Sequence, residues 1–276
     1  MVKKLFKYEW ISARRFLVPL SLVLIGLSVL GRLTFLIDAE TISAKALSLL
    51  VGLAQGLITT FNVLAIGALF LISQIMLIVR FYRNIVGQEG YLTLTLPVTP
   101  GTHIFVKTVF SVLVSIWNVF LSMCSLFVLG IGTEVENDIL AGLSQISDVV
   151  IQKAGTVNFA FYIVELVLAL VAVFFFQFSL FYACISIGQQ MKKHRVLGAL
   201  LSYAAWYVFT QILGVIVTVL LMIFEDQLDA FLDVIALNPV PWLHGILVVL
   251  IVFQAALALV FFLVSRFMLT KKLNLE

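Results

Sequence analysis

The sequence predicts an all-α membrane protein, a bundle of six transmembrane helices. Three observations predict it: the bulk composition, the spacing of long apolar runs, and the one-sided placement of basic residues. Of 276 residues, 63% are hydrophobic and only 11% charged, and the mean hydropathy is +1.18. Such a chain has too little polar surface to cover a water-facing exterior, so a bilayer is the solvent it requires. At roughly 150 residues per soluble domain two domains would fit, but no polar stretch is long enough for a second. Residues 1–276 are therefore expected to form one membrane domain.

A helix crossing roughly 30 Å of hydrocarbon at about 1.5 Å per residue needs about 20 apolar residues. Six segments qualify: 16–36, 57–79, 104–131, 158–187, 197–223 and 245–265. The first is the weakest, with Pro19 near its start and Arg32 near its end, where a long side chain snorkels to the headgroups. A basic stretch precedes it as in a signal peptide, but no small-residue cleavage pattern follows, so the segment is expected to stay attached.

Charge placement checks this count independently, because cytoplasmic loops retain Lys and Arg. With the N-terminus inside, Lys3, Lys4, Lys7, Arg14, Arg15, Arg80, Arg83, Lys107, Lys192, Lys193, Arg195, Arg266, Lys271 and Lys272 share the cytoplasmic side. Of the 17 basic residues only Arg32, Lys45 and Lys153 fall elsewhere. Both chain ends are then expected to be cytoplasmic in a plasma membrane.

The flanking elements read differently. Over 1–15, Val2, Leu5, Phe6, Trp10 and Ala13 fall on one helical face and Lys3, Lys4, Lys7, Arg14 and Arg15 on the other, the pattern of an interfacial helix on the inner leaflet. Glu9 and Ile11 break the pattern, and a basic flank that only sets orientation fits it too. In 224–244, Asp226, Asp229 and Asp233 lie opposite Leu228, Phe231, Leu232 and Ile235 before Pro239 and Pro241 stop the run, which predicts a short external helix between spans five and six.

Little in the chain supports catalysis. There is no His-Glu-x-x-His and no Gly-x-Ser-x-Gly, and His103, His194 and His244 stand apart near span ends. Cys124 and Cys184 both fall inside apolar runs, without the spacing of a disulfide framework or a zinc site. No Gly-x4-Gly-Lys-Ser/Thr run cradles nucleotide phosphates, so the chain is not expected to be an enzyme and any ATP and magnesium would be held by a partner.

The connection 80–103 is the most informative stretch. It mixes basic, aromatic and small residues with alternating Leu and Thr, and Thr99-Pro100 marks a helix start. Arg83, Tyr82 and Tyr91 are of the types that anchor protein interfaces; the alternative is a linker resting on lipid headgroups. Arg80-Phe-Tyr-Arg-Asn followed by Gly90-Tyr-Leu-Thr-Leu-Thr-Leu-Pro-Val-Thr resembles the permease subunits of bacterial type 2 ATP-binding-cassette (ABC) transporters, of the Firmicutes kind. The start Lys3-Lys-Leu-Phe-Lys-Tyr-Glu-Trp and the finish Lys271-Lys-Leu-Asn-Leu-Glu are similar to theirs as well. The resemblance implies that 80–97 docks into a cleft of a separate ABC ATPase, with Arg80, Arg83, Gln88, Glu89 and Tyr91 as coupling residues. It also implies a second permease subunit, identical or not, and export of a small molecule, peptide or lipid-like substrate by alternating access. No nucleic-acid partner is implied.

Polar residues inside the spans show which faces turn away from lipid. Ser111, Ser115, Asn118, Ser122 and Ser125 make one stripe on the third span, best read as a packing seam. Gln55, Thr59, Asn62 and Ser73 on the second span, and Tyr203, Tyr207, Thr210, Gly214 and Thr218 on the fifth, either pack or line a translocation route. Glu165 is the one carboxylate inside a span and faces the bundle, where it either couples to a proton or cation or bonds a neighbouring helix. Two rivals to an ABC permease follow: a non-transporting immunity or sensor subunit, and an ion-coupled carrier centred on Glu165.

Overall fold

A computed structural model describes the chain except residues 1, 38–44, 88–89, 91–97, 155, 192, 238 and 272–276. Every regular element among the described residues is helical: α1 (Val2–Phe35), α2 (Lys45–Phe81) continuing into a π-turn (Tyr82–Val86), α3 (Pro100–Gly130), α4 (Glu134–Ala154), α5 (Thr156–Gly188), α6 (Arg195–Ile223), α7 (Glu225–Leu237) and α8 (Pro239–Lys271). Six of these, all but α4 and α7, are long and apolar enough to cross a bilayer. The protein is thus a multi-pass helical membrane protein by the length and composition of its helices.

The helices outrun the apolar stretches that reveal them. Residues 45–56, ahead of the second apolar run, are already helical because they hold good helix formers and no proline. The segment expected as a separate interfacial helix is instead continuous with the first span in α1. The helix runs through Pro19, whose missing N–H leaves the Arg15 carbonyl without its intrahelical donor. An element not anticipated from the sequence, α4, follows a turn at Gly132, which adopts φ +70°. There the Gly132 N–H donates to Glu136 Oε2 at 2.6 Å, tying down the first turn of α4. A short helix, α7, lies between the fifth and sixth candidate spans, with the Phe231 ring edge-on to Trp242 of α8.

The chain divides into two compact units: Met1–Leu77 with Leu113–Asp148, and Ile78–Val112 with Val149–Glu276. In the first, Leu24, Leu69 and Leu121 form a buried apolar cluster flanked by Leu20, Ala65 and Ile66, so α1, α2 and α3 pack together. In the second, α5 is the central helix and packs most extensively on α8, then on α6. Glu165 contacts His244 near the starts of α5 and α8, and Gln190 donates to Met268 Sδ near their ends, so these two helices run parallel.

The α5–α6 approach rests on glycine. A Cβ built on Gly188 would overlap the Ala199 backbone nitrogen and lie 2.7 Å from Ala199 Cα, and one on Gly198 would lie 2.8 Å from the Gly188 carbonyl oxygen. Two backbones therefore touch where no side chain fits. Gly188→Ala is expected to destabilise the protein by about 1–3 kcal/mol through overpacking. Gly67→Ala, whose added methyl meets no atom within 4 Å, should leave the melting temperature in detergent unchanged or higher.

Candidate functional site

The end of α2 is the best-defined part of the segment singled out in the sequence. Here the helix loosens into a π-turn, in which Gly87 N–H donates to the Tyr82 carbonyl five residues back at 2.8 Å. A Cβ on Gly87 would come within 2.8 Å of the Arg83 carbonyl oxygen, so the chain leaves the turn through a position that suits glycine. The next orphan acceptor, the Val86 carbonyl, receives Arg195 Nη1 from the start of α6 at 3.3 Å. Below the turn, Phe81 stacks on Tyr182 of α5 with ring centroids 3.8 Å apart and planes 6° from parallel. The Tyr182 hydroxyl bonds Ser111 Oγ at 2.7 Å. Phe81, Tyr182 and Ser111 are all buried, which anchors the exit of α2 to α3 and α5. Arg80 is half-buried and Arg83 exposed at this exit. Gln88, Glu89 and Tyr91 lie outside the described residues.

The polar positions of α2 sit mostly in hydrogen bonds within the first unit. Asn62 Nδ2 donates to Ser28 Oγ at 3.0 Å, Ser28 and Ser125 hydroxyls lie 2.7 Å apart, and Ser125 Oγ donates to Asn62 Oδ1 at 3.0 Å. The Ser28 hydroxyl also lies 2.8 Å from the Leu24 carbonyl, so its single proton is shared between Leu24 and Ser125, and the three side-chain contacts close a ring across α1, α2 and α3. Ser73 accepts from Asn118 Nδ2 at 2.6 Å, and Gln74 Nε2 reaches Ser115 at 3.3 Å. Gln55 donates to the carbonyls of Thr34 and Ile37, closing the end of α1, while Thr59 bonds the Gln55 carbonyl of its own helix. Asn62 and Ser73 are thereby held as packing elements, and Thr59 stays exposed.

On α6 the polar stripe has a different setting. Trp206 packs on Phe176 and Phe261, and Gly198 is buried, so these mark the inward face. At about 100° per residue, Tyr207 and Thr218 point roughly 100° away from Trp206, whereas Thr210 lies only about 40° from it and is half-buried. The Thr210 and Thr218 hydroxyls bond the carbonyls of Tyr207 and Gly214 in their own helix. Tyr203 packs its ring 5.6 Å from Phe181 of α5. None of the most apolar stretch of α6 is buried within the chain.

Glu165 has a partner that the sequence did not reveal. Its Oε1 lies 2.5 Å from Nδ1 of His244, whose ring also meets Tyr162 edge-on at 6.3 Å. The glutamate is 13% exposed and the histidine 55%. The usable signal was the position of each residue near the start of its helix in two spans of the same direction. Among the described residues no group of three His, Cys, Asp or Glu side chains gathers to hold a metal.

No protein-family model matches the chain, and no match was found among curated proteins or solved structures. The class is accordingly set by the helices alone: a membrane protein with six candidate spans.

His244→Ala strands the Glu165 carboxylate and should cost on the order of 2 kcal/mol, below the 3–5 of a fully buried pair because the histidine is half-exposed. Glu165→Gln keeps an acceptor for His244 and should cost less than about 1 kcal/mol. Thermal unfolding in detergent that ranks the two variants in the opposite order would contradict a stabilising pair.

Proposed function

We propose that this chain is the membrane-spanning permease subunit of an ATP-driven ABC transporter, one of two permeases served by separate ATPase subunits. The observation that carries the reading is α6. Tyr207, Thr210 and Thr218 lie along a helix with no buried residue in its most apolar stretch, which leaves this surface open to packing by a second membrane subunit. A chain with six apolar helices and no phosphate-binding loop would also need a partner to drive transport by ATP. The anchored exit of α2 supports a coupling role for 80–97. A force applied to Arg83 would pass through the π-turn and the Phe81–Tyr182 stack into α5 and, through Arg195, into α6. ATPase closure on the cytoplasmic face would then rock these helices between inward-open and outward-open states and move a substrate outward. Thr210 and Thr218 are among the path residues that lie on α6.

The Glu165–His244 pair favours one second reading, a proton-coupled carrier, because intramembrane carboxylate and imidazole groups commonly relay protons. Transport that persists without ATP and is lost in Glu165→Gln would support it.

The tagged chain, purified from its native membrane, should bring down an ABC ATPase. Arg83→Ala combined with Tyr91→Ala should cut that recovery about tenfold or more, as for interface hot spots. A variant that recovers the ATPase in full excludes this segment as the contact, and no ATPase at all contradicts the reading.

A further inference from the structure

The second unit contains a cavity of about 400 Å³. Its walls are Ile78, Val79 and Tyr82 from the exit of α2, Phe181, Cys184 and Ile185 from α5, and Val196, Ala199, Leu200 and Tyr203 from α6. The size falls within the roughly 300–1,000 Å³ of small-ligand cavities. Its floor is closed, with Cys184 and Ile185 5% and 6% exposed, whereas Val79, Val196 and Leu200 at the rim are exposed. All three helices that line it are candidate spans, so the rim opens toward hydrocarbon. The molecules that fill an apolar, laterally open cavity in that setting are acyl chains.

Charge at one end of the cavity selects among lipids. Arg195 directly precedes the lining residue Val196, and its Nη1 reaches the Val86 carbonyl in the π-turn that also supplies Tyr82. The arginine therefore bridges two walls of the cavity, while its Nη2 has no hydrogen-bond partner among the described residues. Lys193 lies two residues earlier and is exposed. Among the described residues of the stretches 78–87 and 181–203, which carry every lining residue, the charged ones are all basic: Arg80, Arg83, Lys193 and Arg195. A zwitterionic headgroup gains little from such a cluster, whereas an anionic phosphodiester gains near each cation.

We propose that this cavity binds one acyl chain of an anionic phospholipid, with the phosphate held by Arg195 and Lys193. A bound lipid would brace the exit of α2 against α5 and α6, next to the segment assigned above to coupling. The proposal does not depend on that assignment, since it concerns binding by this chain alone.

The test is photocrosslinking of the full-length chain in nanodiscs that contain phosphatidylglycerol carrying a diazirine in its acyl chain, with adducts mapped by mass spectrometry. Adducts are expected on Cys184 and Ile185, floor residues that only a chain inside the cavity can reach. Unlabelled phosphatidylglycerol should displace them about tenfold more effectively than phosphatidylcholine, in line with two nearby cations. Leu200→Trp, or Val196→Trp should the first fold poorly, fills the cavity from its rim and should remove the floor adducts. Adducts at the exposed Val249 on α8 should survive in that variant and report correct insertion. Arg195→Gln should keep the floor adducts and abolish the preference for phosphatidylglycerol. Floor adducts that are absent in the wild type, or that persist unchanged when the cavity is filled, overturn the site. Equal displacement by the two lipids overturns the anionic ligand.

Discussion

Hydrocarbon offers no hydrogen-bonding partner, and this constraint governs the whole structure. Each backbone group within a span must be satisfied along its own helix, which leaves long uninterrupted helices as the available elements. Each polar side chain inside a span must likewise find a partner in its own helix or a neighbouring one. The Ser28–Asn62–Ser125 ring does so for α1, α2 and α3 in a small space. Measured intramembrane hydrogen bonds contribute only about 0.6 kcal/mol on average. The ring therefore does more to fix which faces meet than to hold the helices together.

Where side chains cannot mediate contact, their absence does. Gly188 and Gly198 let the backbones of α5 and α6 touch. The short connection between the two helices carries the Lys193–Arg195 cationic stretch at this crossing. The exit of α2 meets the same region through the π-turn and Arg195, so one orphan carbonyl at a helix end, that of Val86, is satisfied by a side chain from another helix. One region of the second unit thus combines close helix contact, an irregular helix end and a lateral cavity.

Hydropathy made the six spans legible and left their ends indistinct. It reports which residues suit hydrocarbon, whereas a helix continues as long as its residues tolerate helical geometry. For that reason α2 begins at Lys45 and α8 runs from Pro239 to Lys271, well beyond the apolar runs 57–79 and 245–265. The same distinction explains α1, in which a basic amphipathic segment and a span share one helix because no residue between them stops it. The serine stripe of α3 was legible from its spacing, and its residues are buried as that spacing implies. Its partners were not, since Ser28, Gln74 and Tyr182 are ordinary residues until the helices are packed. The Glu165–His244 pair and the cavity near Cys184 depend on the neighbour relations of α5, which periodicity along one chain does not encode.

A permease role requires that the exit of α2, the α5–α6 connection and both chain ends share the cytoplasmic face. Only then can a soluble ATPase reach residues 80–97. The most direct measurement is labelling of single introduced cysteines in intact cells with a membrane-impermeant maleimide, after Cys124 and Cys184 are replaced by serine. Cysteines at positions 3, 91 and 276 should stay unlabelled until the membrane is permeabilised, while one at Asp229 should label from outside. Labelling of position 91 in intact cells, or of only one of the two chain ends, would contradict the topology and the ATPase contact built on it.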